Sequence, residues 1–141
     1  MPAWHNLENL NQLSYQELPG INDSCSMITD ILNEEIKVIA PEKIVLGGFS
    51  QGAALSLYTG IQFPQTLGGI VALSGYLPHF HEIESFISEG GKNTEIFVCH
   101  GEDDNVVKFG EGKLAAETIM KYNSNTTFKG YPKLSHTQSN E

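Results

Sequence analysis

Lys43-Ile44-Val45-Leu46-Gly47-Gly48-Phe49-Ser50-Gln51-Gly52-Ala53-Ala54-Leu55-Ser56-Leu57-Tyr58 compresses three structural signals into one short stretch. Lys43 to Gly48 is an apolar, partly β-branched run that stops on glycines, as a buried strand does. From Gln51 to Tyr58 the residues are rich in helix formers, and this segment runs on to Pro64. Between the two lies Gly48-x-Ser50-x-Gly52, a serine on a sharp strand-to-helix turn. Glycines are expected on both sides of such a serine because a Cβ at either position would clash. With 14 Gly in the chain, about 0.1 chance matches to this pattern are expected. Its place at a strand-to-helix junction adds the structural context.

The same alternation continues outward. Ile21, Cys25, Ile28, Leu32, Ile36 and Ile39 recur every three or four residues and predict an amphipathic helix ending before Pro41. Beyond the central stretch, the sequence predicts strands at Gly69–Ser74, Glu95–His100 and Thr126–Tyr131. Helices are predicted at Glu82–Ser88 and Lys113–Tyr122. Met1 to Gly20 carry no firm period. Strands alternating with helices imply a parallel sheet with helices on both faces. Chemistry in such sheets sits at the carboxyl ends of the strands.

Composition removes several classes of function. The 141 residues fit one domain, residues 1–141, with a core of its own. Lys+Arg number 8, all of them Lys, against 17 Asp+Glu, for a net charge of −9. No basic cluster is present to bind a phosphate backbone, so nucleic acid is not an expected partner. No apolar run approaches the ~18 residues of a membrane span. Met1-Pro2-Ala3-Trp4 lacks the layout of a signal peptide, so Cys25 and Cys99 are expected as thiols in the cytoplasm, each a small core residue. Gly110-x-Gly112-x-x-Ala115 does not open a strand-to-helix turn, and His79-x-His81-Glu82 lacks further ligands at a recognisable spacing; no metal and no cofactor are expected.

A serine hydroxyl needs a histidine to take its proton, and the histidine needs a carboxylate to fix its tautomer. Of five histidines only His100 and His136 fall at predicted strand ends. His100 abuts the acidic loop and reads as a supporting residue, whereas His136, in a polar loop after the last strand, is better placed to act as a base. Asp103 and Asp104 both lie in the loop after the third strand. Serine, then aspartate, then histidine is the chain order of α/β-hydrolases.

Met1-Pro2-Ala3-Trp4, Gly47-Gly48-Phe49-Ser50-Gln51-Gly52, Ser74-Gly75-Tyr76-Leu77-Pro78, Cys99-His100-Gly101-x-x-Asp104 and Ser135-His136 together resemble the acyl-protein thioesterase and lysophospholipase-type carboxylesterase family of α/β-hydrolases. The resemblance implies Ser50 as nucleophile, His136 as base and Asp104, rather than Asp103, as the orienting acid. It makes the backbone N–H of Gln51 an oxyanion donor and places Leu77 and Pro78 beside the acyl-binding groove. The implied activity is cofactor-free cleavage of acyl thioesters or carboxylic esters through an acyl-enzyme, with an acylated protein or a lipid ester as substrate and at most transient contact with a membrane surface. The alternative is a shortened relative that binds acyl chains or a protein partner without turnover. Asn105 and Lys108 replace prolines common in the family's acid loop. Measured against the family, the chain is expected to lack the N-terminal strands, with the loop that supplies a second oxyanion N–H, and the final helix. The strand at Ile44-Val45-Leu46 would then be a sheet edge.

Overall fold

The computed structural model describes residues 3–139, so Met1 and Pro2 of the motif at the start of the chain lie outside the described residues. The elements are α1 (Ile21–Glu35), β1 (Val45–Phe49), α2 (Gln51–Gly60), β2 (Gly69–Leu73), α3 (Ile83–Phe86), α4 (Glu89–Asn93), β3 (Ile96–Gly101), α5 (Phe109–Met120) and β4 (Thr126–Tyr131). The four strands form one parallel sheet in the order β1-β2-β3-β4.

Boundaries shift where local chemistry intervenes. The first helix closes at Glu35, and its last turn loosens through Ile36 to Ile39 before Ala40, which precedes Pro41 and is extended at φ −59°, ψ 135°. α5 begins at Phe109, ahead of the predicted Lys113, because Phe109-Gly110-Glu111-Gly112 hides a helical turn behind two glycines. Gly112 is required there, since a Cβ would sit 2.3 Å from the His100 ring. The predicted helix at Glu82–Ser88 shortens to α3, and the unpredicted α4 follows it, capped by the Ser88 hydroxyl, which accepts from the Gly91 N–H.

Helices on both faces were expected; among the described residues they cover one. Ile70, Ala72, Ile96 and Val98 point one way from the sheet and pack, almost wholly buried, under Ala53 and Leu57 of α2 and Ala115, Ala116 and Ile119 of α5. Burial of each large aliphatic side chain here contributes roughly 1.5–3 kcal/mol. α1 lies against α2 and adds Leu32 to a cluster with Phe63 and Leu67. The alternate residues Val71, Leu73, Phe97 and Cys99 on the other face are half-buried, and Val45 is 61% exposed. Strand order explains this. Right-handed crossovers that all step in one direction deposit every connecting helix on the same side, and only a reversal of strand order moves helices to the other.

β1 pairs with β2 alone among the described residues, as an edge strand does. Cys25 and Cys99 are both free and half-buried rather than sealed in the core. No helix among the described residues is long and apolar enough to cross a membrane.

The register aligns the strand ends. Phe49 lies opposite Leu73, Leu73 opposite Cys99, and Gly101 opposite Tyr131. The residues that follow β1, β3 and β4 therefore emerge along a common rim.

Candidate active site

Ser50 joins β1 directly to α2 with no intervening loop, and the geometry forces it to φ 58°, ψ −119°. A non-glycine residue held there costs on the order of 1–3 kcal/mol and persists only because its surroundings over-determine it. They do so through the Ser50 N–H, which donates to the Leu73 carbonyl at 2.8 Å, and through Gly48. A Cβ on Gly48 would lie 2.2 Å from the Gly52 carbonyl oxygen. Gly52 is different: its own Cβ would meet only the Trp4 indole, at 4.0 Å. The expected requirement for glycine on both sides of Ser50 thus reduces to a requirement at Gly48, because the crowding is against the backbone of residue 52 and not its side-chain direction.

His136 sits in the loop that follows β4. Its Nε2 is 3.0 Å from Ser50 Oγ, and its Nδ1 is 2.7 Å from Asp104 Oδ2. The carboxylate can only accept, so the proton belongs on Nδ1, which leaves Nε2 bare to accept from the serine hydroxyl. The ring also leans on Phe49, with centroids 4.8 Å apart, and its side chain is 16% exposed.

Asp104 is fully occupied. Oδ1 accepts from the N–H groups of Val106 and Val107, both at 2.9 Å, while Oδ2 faces His136, and the side chain has no exposed surface. These bonds close the turn from Asp104 to Val107. Asp103 points into solvent; its backbone N–H bonds to the Leu134 carbonyl. Geometry thereby separates two adjacent acids that residue type and loop position alone leave equivalent.

The Gln51 N–H belongs to the first turn of α2, where N–H groups have no intrahelical acceptor. Its position beside Ser50 suits the stabilisation of a developing negative charge. Leu77 and Pro78 lie inside the protein and not at its surface. Leu77 is wholly buried in the cluster with Ala53, Leu57 and Ile83, and Pro78 is buried next to it. The reason is the turn after β2, which tucks this segment beneath α2 and α3 and leaves Leu77 no surface to offer an acyl chain.

Several contacts around the site carry no local signal in the sequence. The Gln51 side chain clamps the N-terminal segment, accepting from the Trp4 N–H at 2.7 Å and donating to the His5 carbonyl at 2.8 Å. His5 Nε2 lies 2.5 Å from the Tyr76 hydroxyl, a contact across 71 positions that no spacing rule could anticipate. Burial lowers the His5 pKa to about 4 and pushes Tyr76 up, so both are neutral near pH 7. Burial likewise raises the Cys99 thiol, with Lys129 opposing it, a poor arrangement for a reactive thiolate.

The phospholipase/carboxylesterase family model matches residues 1–141. The chain belongs to that family. Among its relatives, the acyl-protein thioesterase 1 of Aspergillus fumigatus is 38% identical over 97% of this chain and 61% of its own length. The acyl-protein thioesterase 1 homolog 1 of Dictyostelium discoideum is 35% identical over 100% and 63%. Of the solved structures, Arabidopsis thaliana SOBER1 superposes with a TM-score of 0.86 at 32% identity, covering 98% of this chain and 67% of that one. The acyl-protein thioesterase 2 of Zea mays gives 0.80 at 26% identity, covering 98% and 66%. The chain therefore spans about three fifths of the length of the curated relatives it matches. The mainly parallel α/β-hydrolase sheet read from the sequence agrees with these structures.

Proposed function

We propose that the protein is a serine hydrolase that cleaves acyl thioesters or carboxylic esters, with acylated proteins or lipid esters of the cytoplasm as substrates. The observation that carries this reading is the hydrogen-bonded series Ser50 Oγ, His136 Nε2, His136 Nδ1, Asp104 Oδ2, at 3.0 and 2.7 Å on the rim of the parallel sheet. Family membership and the thioesterase relatives support the choice of an acyl substrate.

In this reading His136 takes the Ser50 proton as Oγ attacks the acyl carbonyl, and Asp104 holds the imidazolium that forms. The Gln51 N–H stabilises the oxyanion. Collapse of the tetrahedral intermediate breaks the bond to sulfur or oxygen, and His136 returns its proton to the leaving thiolate or alkoxide. Water, activated by the same imidazole, then releases the acid from the serine ester.

Labelling with a fluorophosphonate, followed by peptide mass spectrometry, tests the assignment. Modification should fall on Ser50 and disappear in Ser50→Ala, with hydrolysis of an octanoyl thioester lost in parallel. A folded wild-type protein that neither labels nor hydrolyses would instead support acyl binding without turnover.

A further inference from the structure

Beneath Asp104 lies a second histidine that the proposed chemistry does not use. His100 is 1% exposed, at the end of β3. Its Nε2 is 2.7 Å from the Val107 carbonyl and 3.3 Å from Asp104 Oδ2. Its Nδ1 is buried with no partner among the described residues, and it faces α5 where a Cβ on Gly112 would come within 2.3 Å. The ring meets Phe109 edge-on at 6.0 Å. We propose that His100, with its proton on Nε2, is a positioning residue for Asp104 and, through it, for His136. This rests on the hydrolase reading above and extends it.

The tautomer follows from the partners. A carbonyl oxygen only accepts, so the Val107 contact requires a proton on Nε2. A second proton, on Nδ1, would have neither acceptor nor solvent, so the ring stays neutral; burial, which pulls its titration below the ordinary imidazole range, acts in the same direction. Val107 then works at both ends: its N–H donates to Asp104 Oδ1 and its carbonyl accepts from His100. His100, Val107 and Asp104 form a closed ring of contacts that fixes the carboxylate plane. The N–H dipole of His100 also lies beside the oxygen that receives His136.

A role in filling space alone would be met by an apolar side chain, without the destabilising burial of an unpartnered Nδ1. What an apolar residue could not supply is the donor at Val107 and Asp104. Without it the Val107 carbonyl is orphaned, the turn is freed, and Asp104 is held less firmly against His136. The charged and titratable groups facing His100 are Asp104, His136 and, from α5, Glu111, whose carboxylate is engaged by Ser14.

The test compares His100→Leu, which removes the donor, with His100→Gln, whose terminal N–H₂ can occupy the place of Nε2. For the full chain, His100→Leu should lower kcat on a thioester roughly 10–100-fold, with KM little changed. His100→Gln should recover most of that loss. Equal rates for the two variants, or a loss confined to KM, would overturn the proposal. An NMR titration of the histidine rings provides a readout that does not depend on turnover. His100 should appear as the Nε2–H tautomer and take up its second proton only below the ordinary imidazole range. The His136 ring signals and their pH dependence should change in His100→Leu and stay near wild type in His100→Gln. An unmoved His136 in both variants refutes the positioning role whether or not the protein is active, whereas a wild type that fails to label refutes only the hydrolase reading. If His100→Leu does not fold, His100→Asn replaces it. Its shorter amide does not reach Val107, and it must behave like the donor-less variant; parity with His100→Gln is again fatal.

Discussion

The loops after β3 and β4 bring Asp104 and His136 into hydrogen-bond contact, yet they are built in opposite ways. In the first, Asp104 and Val107 are buried and every carboxylate oxygen is engaged from within the protein. In the second, His136 is half-buried between exposed Ser135 and Thr137, beyond a turn at Lys133 with φ 59°. The carboxylate is set into the scaffold and the imidazole hangs from it. This division suits the proposed chemistry, because the acid keeps one protonation state and one orientation while the imidazole must gain and lose a proton at each half-reaction. The loops are also stitched together: the N–H of Asp103 donates to the Leu134 carbonyl and that of Glu102 to the Tyr131 carbonyl, both at 3.0 Å.

The largest expected effect lies on the base side. Ser50→Ala and His136→Ala should each reduce kcat by roughly 10⁵–10⁶, and the double variant should be little worse than either alone. Additive losses in steady-state rates would mean that the two residues do not act as a unit.

On the acid side, Asp104→Asn should lower kcat by up to about 10⁴, since the amide favours the wrong imidazole tautomer. Asp103→Asn should stay within a factor of about two of wild type, as expected for an exposed carboxylate. The reverse ranking would dissolve the contrast between a buried acid and its solvent-facing neighbour.

The seam between the loops is tested at Gly101, where a Cβ would lie 2.2 Å from the Leu134 carbonyl oxygen. Gly101→Ala should push the His136 loop outward, with a loss of about 1–3 kcal/mol in denaturant-measured stability and a fall in kcat of roughly tenfold or more. Unchanged kinetics would show that the base finds its place without the seam.

The smallest effect concerns stability and pH. His5 has a folded pKa of about 4, below its ordinary 6.5, so above pH 6.5 it is neutral in both states and contributes no pH dependence. As pH falls from 6.5 to 4 the unfolded chain takes up a proton that the folded protein refuses, and stability drops by up to about 3 kcal/mol. In His5→Phe, thermal melts over that range should be flatter than in wild type.

How much of this was legible follows from where each signal resides. β1, the Ser50 turn and α2 were readable because strand burial, glycine and helix propensity all speak within a few neighbouring residues. The chain order of Ser50, the acid loop and His136 was readable too, although the choice of Asp104 over Asp103 needed the resemblance. The face on which helices pack was not readable, since it depends on strand order. The depth of Leu77 was not readable for a related reason: an apolar residue after a strand looks the same whether it lines a groove or plugs a core. The clamp by Gln51 and the His5–Tyr76 pair join distant positions and leave no periodic trace.

The order β1-β2-β3-β4 also bears on how the molecule assembles. Each strand pairs with its successor in sequence, so the sheet can grow by short steps, each closing a modest loop. The contact between Ser50 and His136 instead spans 86 positions and depends on the last strand and the segment after it. Reactivity of Ser50 in a refolding experiment should therefore lag behind the recovery of helical signal, and the final stage of chain collapse would be reported by that one hydroxyl.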